Sequence, residues 1–165
     1  MIQKKICMVG VYGTGKTSLV RRYVHQKFSD RYLSTVGVKI SKKQVNVGDV
    51  AVNLLLWDLA GRDEVEDVPT SYLRGAAGIL FVVDGTRRDT FEQTFELRDR
   101  AREAIGAFAG LVALNKVDLT DQWKLDETDY ARLKQQGWYT LRTSAKTGEG
   151  VEDAFHWLAS AVLER

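Results

Sequence analysis

An apolar run, Lys5 to Val9, opens directly into Gly10-Val11-Tyr12-Gly13-Thr14-Gly15-Lys16-Thr17-Ser18, and the helical spacing of Leu19, Tyr23 and Val24 follows at once. This segment constrains the fold more than any other: a strand must deliver the chain to a glycine-rich turn, and a helix must leave it. It fits G-x-x-x-x-G-K-[ST] in the context that gives the pattern meaning, between strand and helix. The glycines let the backbone fold into a nest of N–H groups suited to phosphate oxygens. The helix N-terminus adds a dipole of the right sign, Lys16 can reach β- and γ-phosphates, and the Thr17 hydroxyl suits Mg²⁺. Gly10, Gly13, Thr14, Gly15, Lys16, Thr17 and Ser18 are therefore the expected phosphate-binding residues.

The rest of the chain says what surrounds that loop. Apolar runs at Ile79 to Asp84 and Leu111 to Leu114 read as further buried strands. Phe91, Phe95 and Ile105 follow the first of these with helical spacing. Val151, Ala154, Phe155, Leu158 and Val162 mark a last amphipathic helix. Val38 to Val47 and Val50 to Asp58 are adjacent strands, joined by a Gly48-Asp49 turn short enough for a hairpin. The resulting βαββαβαβαβα order predicts an α/β fold: a six-stranded, mostly parallel sheet with one antiparallel edge strand and helices on both faces. Ligands of such sheets bind at the carboxyl ends of the strands.

Composition narrows the setting. With 165 residues the chain is one domain, 1–165, large enough to bury a core without staples. Its formal net charge of +2 argues against a nucleic-acid-binding domain. A single cysteine, Cys7, excludes an intrachain disulfide. There is no signal peptide and no membrane-length apolar run, so a cytoplasmic location is expected. Cys7 reads as a small core residue, and His25 and His156 as structural or surface residues. Arg98 to Glu103 reads as a solvated helix face, and Lys42-Lys43 as lysines of an exposed edge strand.

A phosphate loop alone does not choose among nucleotides. Asn115-Lys116-Val117-Asp118 directly follows the strand ending at Leu114 and does choose. A carboxylate at Asp118 can accept two hydrogen bonds from the N1–H and 2-amino edge of guanine, which adenine does not offer. The Lys116 stem can lie against the purine. Thr143-Ser144-Ala145-Lys146 closes another strand and can present a backbone N–H to the base oxygen. A small-molecule or nucleotide kinase would share the phosphate loop but would leave Asn115 to Asp118 unexplained.

These motifs, together with Ser34-Thr35-Val36-Gly37, Trp57-Asp58-Leu59-Ala60-Gly61 and Tyr72-Leu73-Arg74-Gly75-Ala76, resemble those of Ras-superfamily small GTPases, closest to the Rab branch. The likeness covers essentially the whole chain and implies a P-loop NTPase G domain that binds GTP or GDP with Mg²⁺. It implies that Phe28 packs on guanine and that Tyr32 lies in the nucleotide-binding set. Thr35 is implied to meet Mg²⁺ and the γ-phosphate, Asp58 to hold the metal through water, and the Gly61 N–H to sense the γ-phosphate. Metal residues would then be Thr17, Thr35 and Asp58. Lys116, Asp118, Ser144, Ala145 and Lys146 would join Asn115 around the base. Effectors, exchange factors and GTPase-activating proteins would bind the switch loops 28–40 and 58–76, which the γ-phosphate orders. Trp57 would then be either an effector contact or a packing residue.

Three departures stand out. Where the family usually carries a water-orienting glutamine, this chain has Arg62, which cannot accept a hydrogen bond. Where Ras proteins carry a glycine, it has Tyr12, whose ring can obstruct an incoming arginine finger, a device worth about 10³–10⁵ in rate. The catalytic set is accordingly Lys16, Thr35, Gly61, Arg62 and Tyr12, and hydrolysis is expected to be slow. A non-hydrolysing GTP-dependent scaffold is the alternative, and so is an Arg62 that supplies charge in cis. Finally, the chain ends at Arg165 without a cysteine-bearing tail, so no lipid anchor is expected on the sequence as it stands. A truncated protein and a non-lipidated relative both fit that ending.

Overall fold

The computed structural model describes residues 2–26, 37–59 and 68–164. In chain order these form β1 (Ile2–Val9), α1 (Lys16–His25), β2 (Val38–Val47), β3 (Val50–Leu59), α2 (Thr70–Leu73), β4 (Gly78–Asp84), α3 (Arg88–Ile105), β5 (Ala109–Asn115), α4 (Glu127–Gln135), β6 (Tyr139–Arg142) and α5 (Val151–Leu163). The six strands make one sheet in the order β2-β3-β1-β4-β5-β6. Every pairing is parallel except β2 with β3, so the expected antiparallel edge strand is β2. Its hairpin closes at the Val47–Val50 pair, with Gly48 at φ 60° supplying the positive φ that a two-residue turn needs at its first central position.

Alternation along each strand sorts side chains to two faces. Ile6 and Met8 of β1, Leu54 and Leu56 of β3, and Leu80 and Val82 of β4 pack with α1 and α5 on one face. Tyr23 of α1 stacks on Phe155 of α5 there, with ring centroids 4.1 Å apart. Cys7, Val9, Ile79, Phe81 and Val83 face the other way, onto Phe91, Leu97 and Ala101 of α3 and Leu133 of α4. Every residue of β4 is buried, which explains its unbroken apolar run in sequence.

Some local readings needed revision. β1 starts at Ile2, three residues before its apolar run, because Ile2 to Lys5 continue the pairing with β3. Arg98 is not simply solvated: its guanidinium lies 4.1 Å over the Trp138 ring and its Nη1 donates to Gln136 O. Lys43 likewise turns to the α1 face of the edge strand, where its Nζ sits 5.1 Å over the Tyr23 ring. Cys7 is fully buried, and burial pushes its thiol up to about 12. His25 and His156 are exposed. No helix among the described residues is long and apolar enough to cross a membrane.

Candidate nucleotide site

The carboxyl ends of β1, β3, β4, β5 and β6 lie on one edge of the sheet, and the loops that follow β1, β4, β5 and β6 are joined there by hydrogen bonds. The loop from Gly10 to Gly15 runs from β1 into α1, with Gly13 at φ 80° and Gly15 at φ 105°. Both are left-handed conformations that a side chain resists. Two of its glycines are also enforced by space. A Cβ on Gly10 would stand 2.6 Å from Val82 O, and one on Gly15 2.3 Å from Asn115 Nδ2. Thr14 folds inward, its Oγ1 donating to Val11 O at 3.0 Å.

Lys16 is buried at the start of α1, and its Nζ donates to Gly10 O at 2.7 Å and Val11 O at 3.1 Å. Burial lowers its ammonium to about 8, with the nearby Arg87 charge acting in the same direction and Asp58 opposing it. Beside it, Thr17 Oγ1 donates to Asp58 Oδ2 at 2.6 Å, joining α1 to the end of β3. Ser18 follows in the same first turn. A hydroxyl and a carboxylate, both hard oxygen donors, suit Mg²⁺, and the bare glycine cradle suits a polyphosphate. No cluster of three His, Cys, Asp or Glu side chains arranged for a metal occurs among the described residues.

The second loop leaves β5. Asn115 is buried; its Nδ2 donates to Thr14 O at 3.0 Å, and its Oδ1 accepts from Thr143 Oγ1 at 3.1 Å. Lys116, at φ 72°, reaches across so that its Nζ donates to Gly13 O at 2.9 Å. Asp118 Oδ1 accepts from Ser144 Oγ at 2.7 Å, and Ser144 Oγ accepts in turn from Thr147 N. That bond orients a carboxylate which can still accept further N–H donors. Ala145 is buried and Lys146 exposed, and Arg22 of α1 binds both of their carbonyls, with its Nε 2.7 Å from Ala145 O.

Sequence reasoning missed Asp84, Arg87 and Arg22. Asp84 ends β4 almost fully buried and ion-pairs with both Lys116 Nζ (2.9 Å) and Arg87 Nε (3.1 Å). Burial works against its charge, yet bonds from Thr86 and Lys116 outweigh that and hold the carboxyl below its usual range. A carboxylate closing an otherwise wholly apolar strand was the available signal. Trp57 is half-buried; the Lys5 ammonium lies 3.7 Å over its ring and Tyr72 meets its edge. Phe28, Tyr32, Thr35, Gly61 and Arg62 lie outside the described residues.

Three strand-end loops thus converge on a glycine nest with a buried lysine, a Thr–Asp oxygen pair and an oriented carboxylate. Residues 5–164 match the Ras family. The chain belongs to that family. Its curated relatives include Ras-related protein Rab-4A of Rattus norvegicus, 37% identical over 163 residues that cover 98% of this chain and 75% of that protein. Rab-4B of Homo sapiens is 36% identical, covering 98% and 76%. Rab-1 of Theileria annulata is 34% identical, covering 98% and 74%. This Ras-family chain is a Rab-like, GTP-binding small GTPase, which removes the kinase alternative.

Proposed function

We propose that the chain is a Mg²⁺-dependent guanine-nucleotide switch, acting as one domain over residues 1–165, that hydrolyses GTP slowly and recruits partners through residues 28–40 and 58–76. One observation carries the nucleotide reading: the base loop is bonded to the phosphate loop, through Asn115 to Thr14 O and Lys116 to Gly13 O. A single ligand with a base at one end and phosphates at the other is what such a pair of joined loops fits.

In this reading Asp118 accepts the N1–H and 2-amino donors of guanine, and the Ala145 backbone N–H meets the base oxygen. The Lys116 stem flanks the purine, and Phe28 packs against the guanine. The N–H groups of Gly13 to Ser18 hold phosphate oxygens, and Lys16 supplies the compensating charge. Thr17, Thr35 and Asp58 hold Mg²⁺, which when bound neutralises the phosphate charge that builds up as the bond breaks. The Gly61 N–H senses the γ-phosphate, and Tyr32 belongs to the nucleotide-binding set.

The slow rate rests on two side chains. Arg62 stands where a hydrogen-bond acceptor would orient water and has no acceptor to offer. Tyr12 is 41% exposed at the rim of the phosphate loop, where an activating protein would bring an arginine. Loss of hydrolysis altogether, leaving a GTP-dependent scaffold, is the limiting form of the same argument. Single-turnover GTP hydrolysis by the wild type and by Arg62→Gln tests it. We expect the glutamine variant to be faster by about tenfold, equivalent to about 1.4 kcal/mol of barrier. A slower variant would show instead that Arg62 contributes positive charge to hydrolysis and would overturn this reading.

A further inference from the structure

The phosphate loop presents three successive carbonyls, those of Tyr12, Gly13 and Thr14, to side chains from the neighbouring strand-end loops. Arg87 Nη2 donates to Tyr12 O at 2.8 Å, Lys116 Nζ to Gly13 O at 2.9 Å, and Asn115 Nδ2 to Thr14 O at 3.0 Å. In a trans peptide the N–H points opposite to the C=O. Drawing the Tyr12 and Thr14 carbonyls outward therefore turns the Gly13 and Gly15 N–H groups to the opposite side, toward the cradle. Resting on the guanine-nucleotide reading above, we propose that Arg87 is a positioning residue of the phosphate site. With buried Asp84 as its anchor, it clamps the loop at Tyr12 from outside and lengthens nucleotide residence.

The arginine is built to do this rather than merely able to. Its backbone sits in a turn fixed by the buried Thr90 side chain, whose Oγ1 bonds Asp84 N, Asp84 O and Arg87 O. The turn is also held to the base loop. Gly85 N donates to Asn115 O, Lys124 N donates to Gly85 O, and the Trp123 ring lies against the bare face of Gly85. Asp84 then fixes the guanidinium through Nε, leaving Nη2 aimed at the loop. The same carboxylate fixes Lys116, so the two cations among the three clamping side chains share one buried anchor. Arg87 packs so closely that a Cβ on Gly13 would meet its Nη2 at 3.2 Å. A solitary surface ion pair contributes little, but a charge-assisted bond to a backbone carbonyl, preorganised by a buried carboxylate, does more.

The test uses the full chain loaded with fluorescent GDP, chased with excess unlabelled GDP, in wild type, Arg87→Ala and Arg87→Lys. Arg87→Ala should release GDP about five to ten times faster, the order of change that loss of one net hydrogen bond gives. Arg87→Lys keeps a cation but not the two-nitrogen fork, and should fall between the two. Hydrogen–deuterium exchange of the nucleotide-free proteins supplies a readout independent of the ligand. The segment 10–18 should exchange faster in Arg87→Ala, and α5 should not. If Arg87→Ala fails to fold, the Arg87→Lys comparison with wild type decides by the same two readouts. A wild type that holds no GDP overturns the guanine-nucleotide reading itself. A wild type that holds GDP, with variants that release it at the wild-type rate and exchange 10–18 unchanged, overturns the clamp alone.

Discussion

At the scale of single residues, the site separates side chains that meet a ligand from those that hold the first group in place. On the proposed guanine-nucleotide reading Asp118 belongs to the first, oriented by one bond from Ser144 Oγ. Asp118→Ala should weaken GDP binding and erase the preference for guanine over adenine, a discrimination of about 10⁴ when a site is built to hydrogen-bond a polar edge. Competition of GDP and ADP against a fluorescent guanine nucleotide measures it. An alanine variant that still prefers GDP by the wild-type ratio would remove Asp118 from the base site. Lys16, Thr17, Asn115 and Asp118 were legible because each lies in a short motif. Asp84, Arg87 and Arg22 were not. Arg87 meets Tyr12 across 75 residues of sequence, and Arg22 meets Ala145 across 123, so no local pattern signals either contact.

At the scale of elements, what was legible depended on how completely a segment is buried. β4, covered on both faces, wrote itself as a continuous apolar run. β6 has only four residues, none of them fully buried, and offers no such signature; its place was inferred from the alternation of elements and from the motif that follows it. α4 rests on its N-terminus: Asp126 accepts from Thr128 N and Asp129 N, and Asp129 returns a bond to the Asp126 backbone. The turn between β4 and α3 is the least forgiving connection. A Cβ on Gly85 would come within 2.1 Å of the Trp123 ring. Gly85→Ala should force the ring aside and cost about 1–3 kcal/mol, the range for overpacking a close-fitted site. Urea unfolding with near-UV circular dichroism detects both effects. An unchanged tryptophan signal at wild-type stability would contradict this packing.

At the scale of the molecule, the sheet order β2-β3-β1-β4-β5-β6 brings five strand ends to one edge and lets loops far apart in sequence share a ligand. Two apolar clusters, one on each face, fix those ends relative to one another. The strand order was legible only in outline. The repeated α/β pattern called for a mostly parallel sheet with an antiparallel edge, and the hairpin at Gly48-Asp49 located that edge in β2 and β3. On the function proposed above, this frame carries a switch that keeps its GTP because Arg62 offers no acceptor to orient water and Tyr12 stands at the exposed rim of the phosphate loop. The most direct measurement is the nucleotide released by denaturing freshly purified protein, separated and quantified by ion-exchange chromatography. The account predicts guanine nucleotide at close to one per chain, with GTP in excess of GDP. A chain that carries mostly GDP would contradict it.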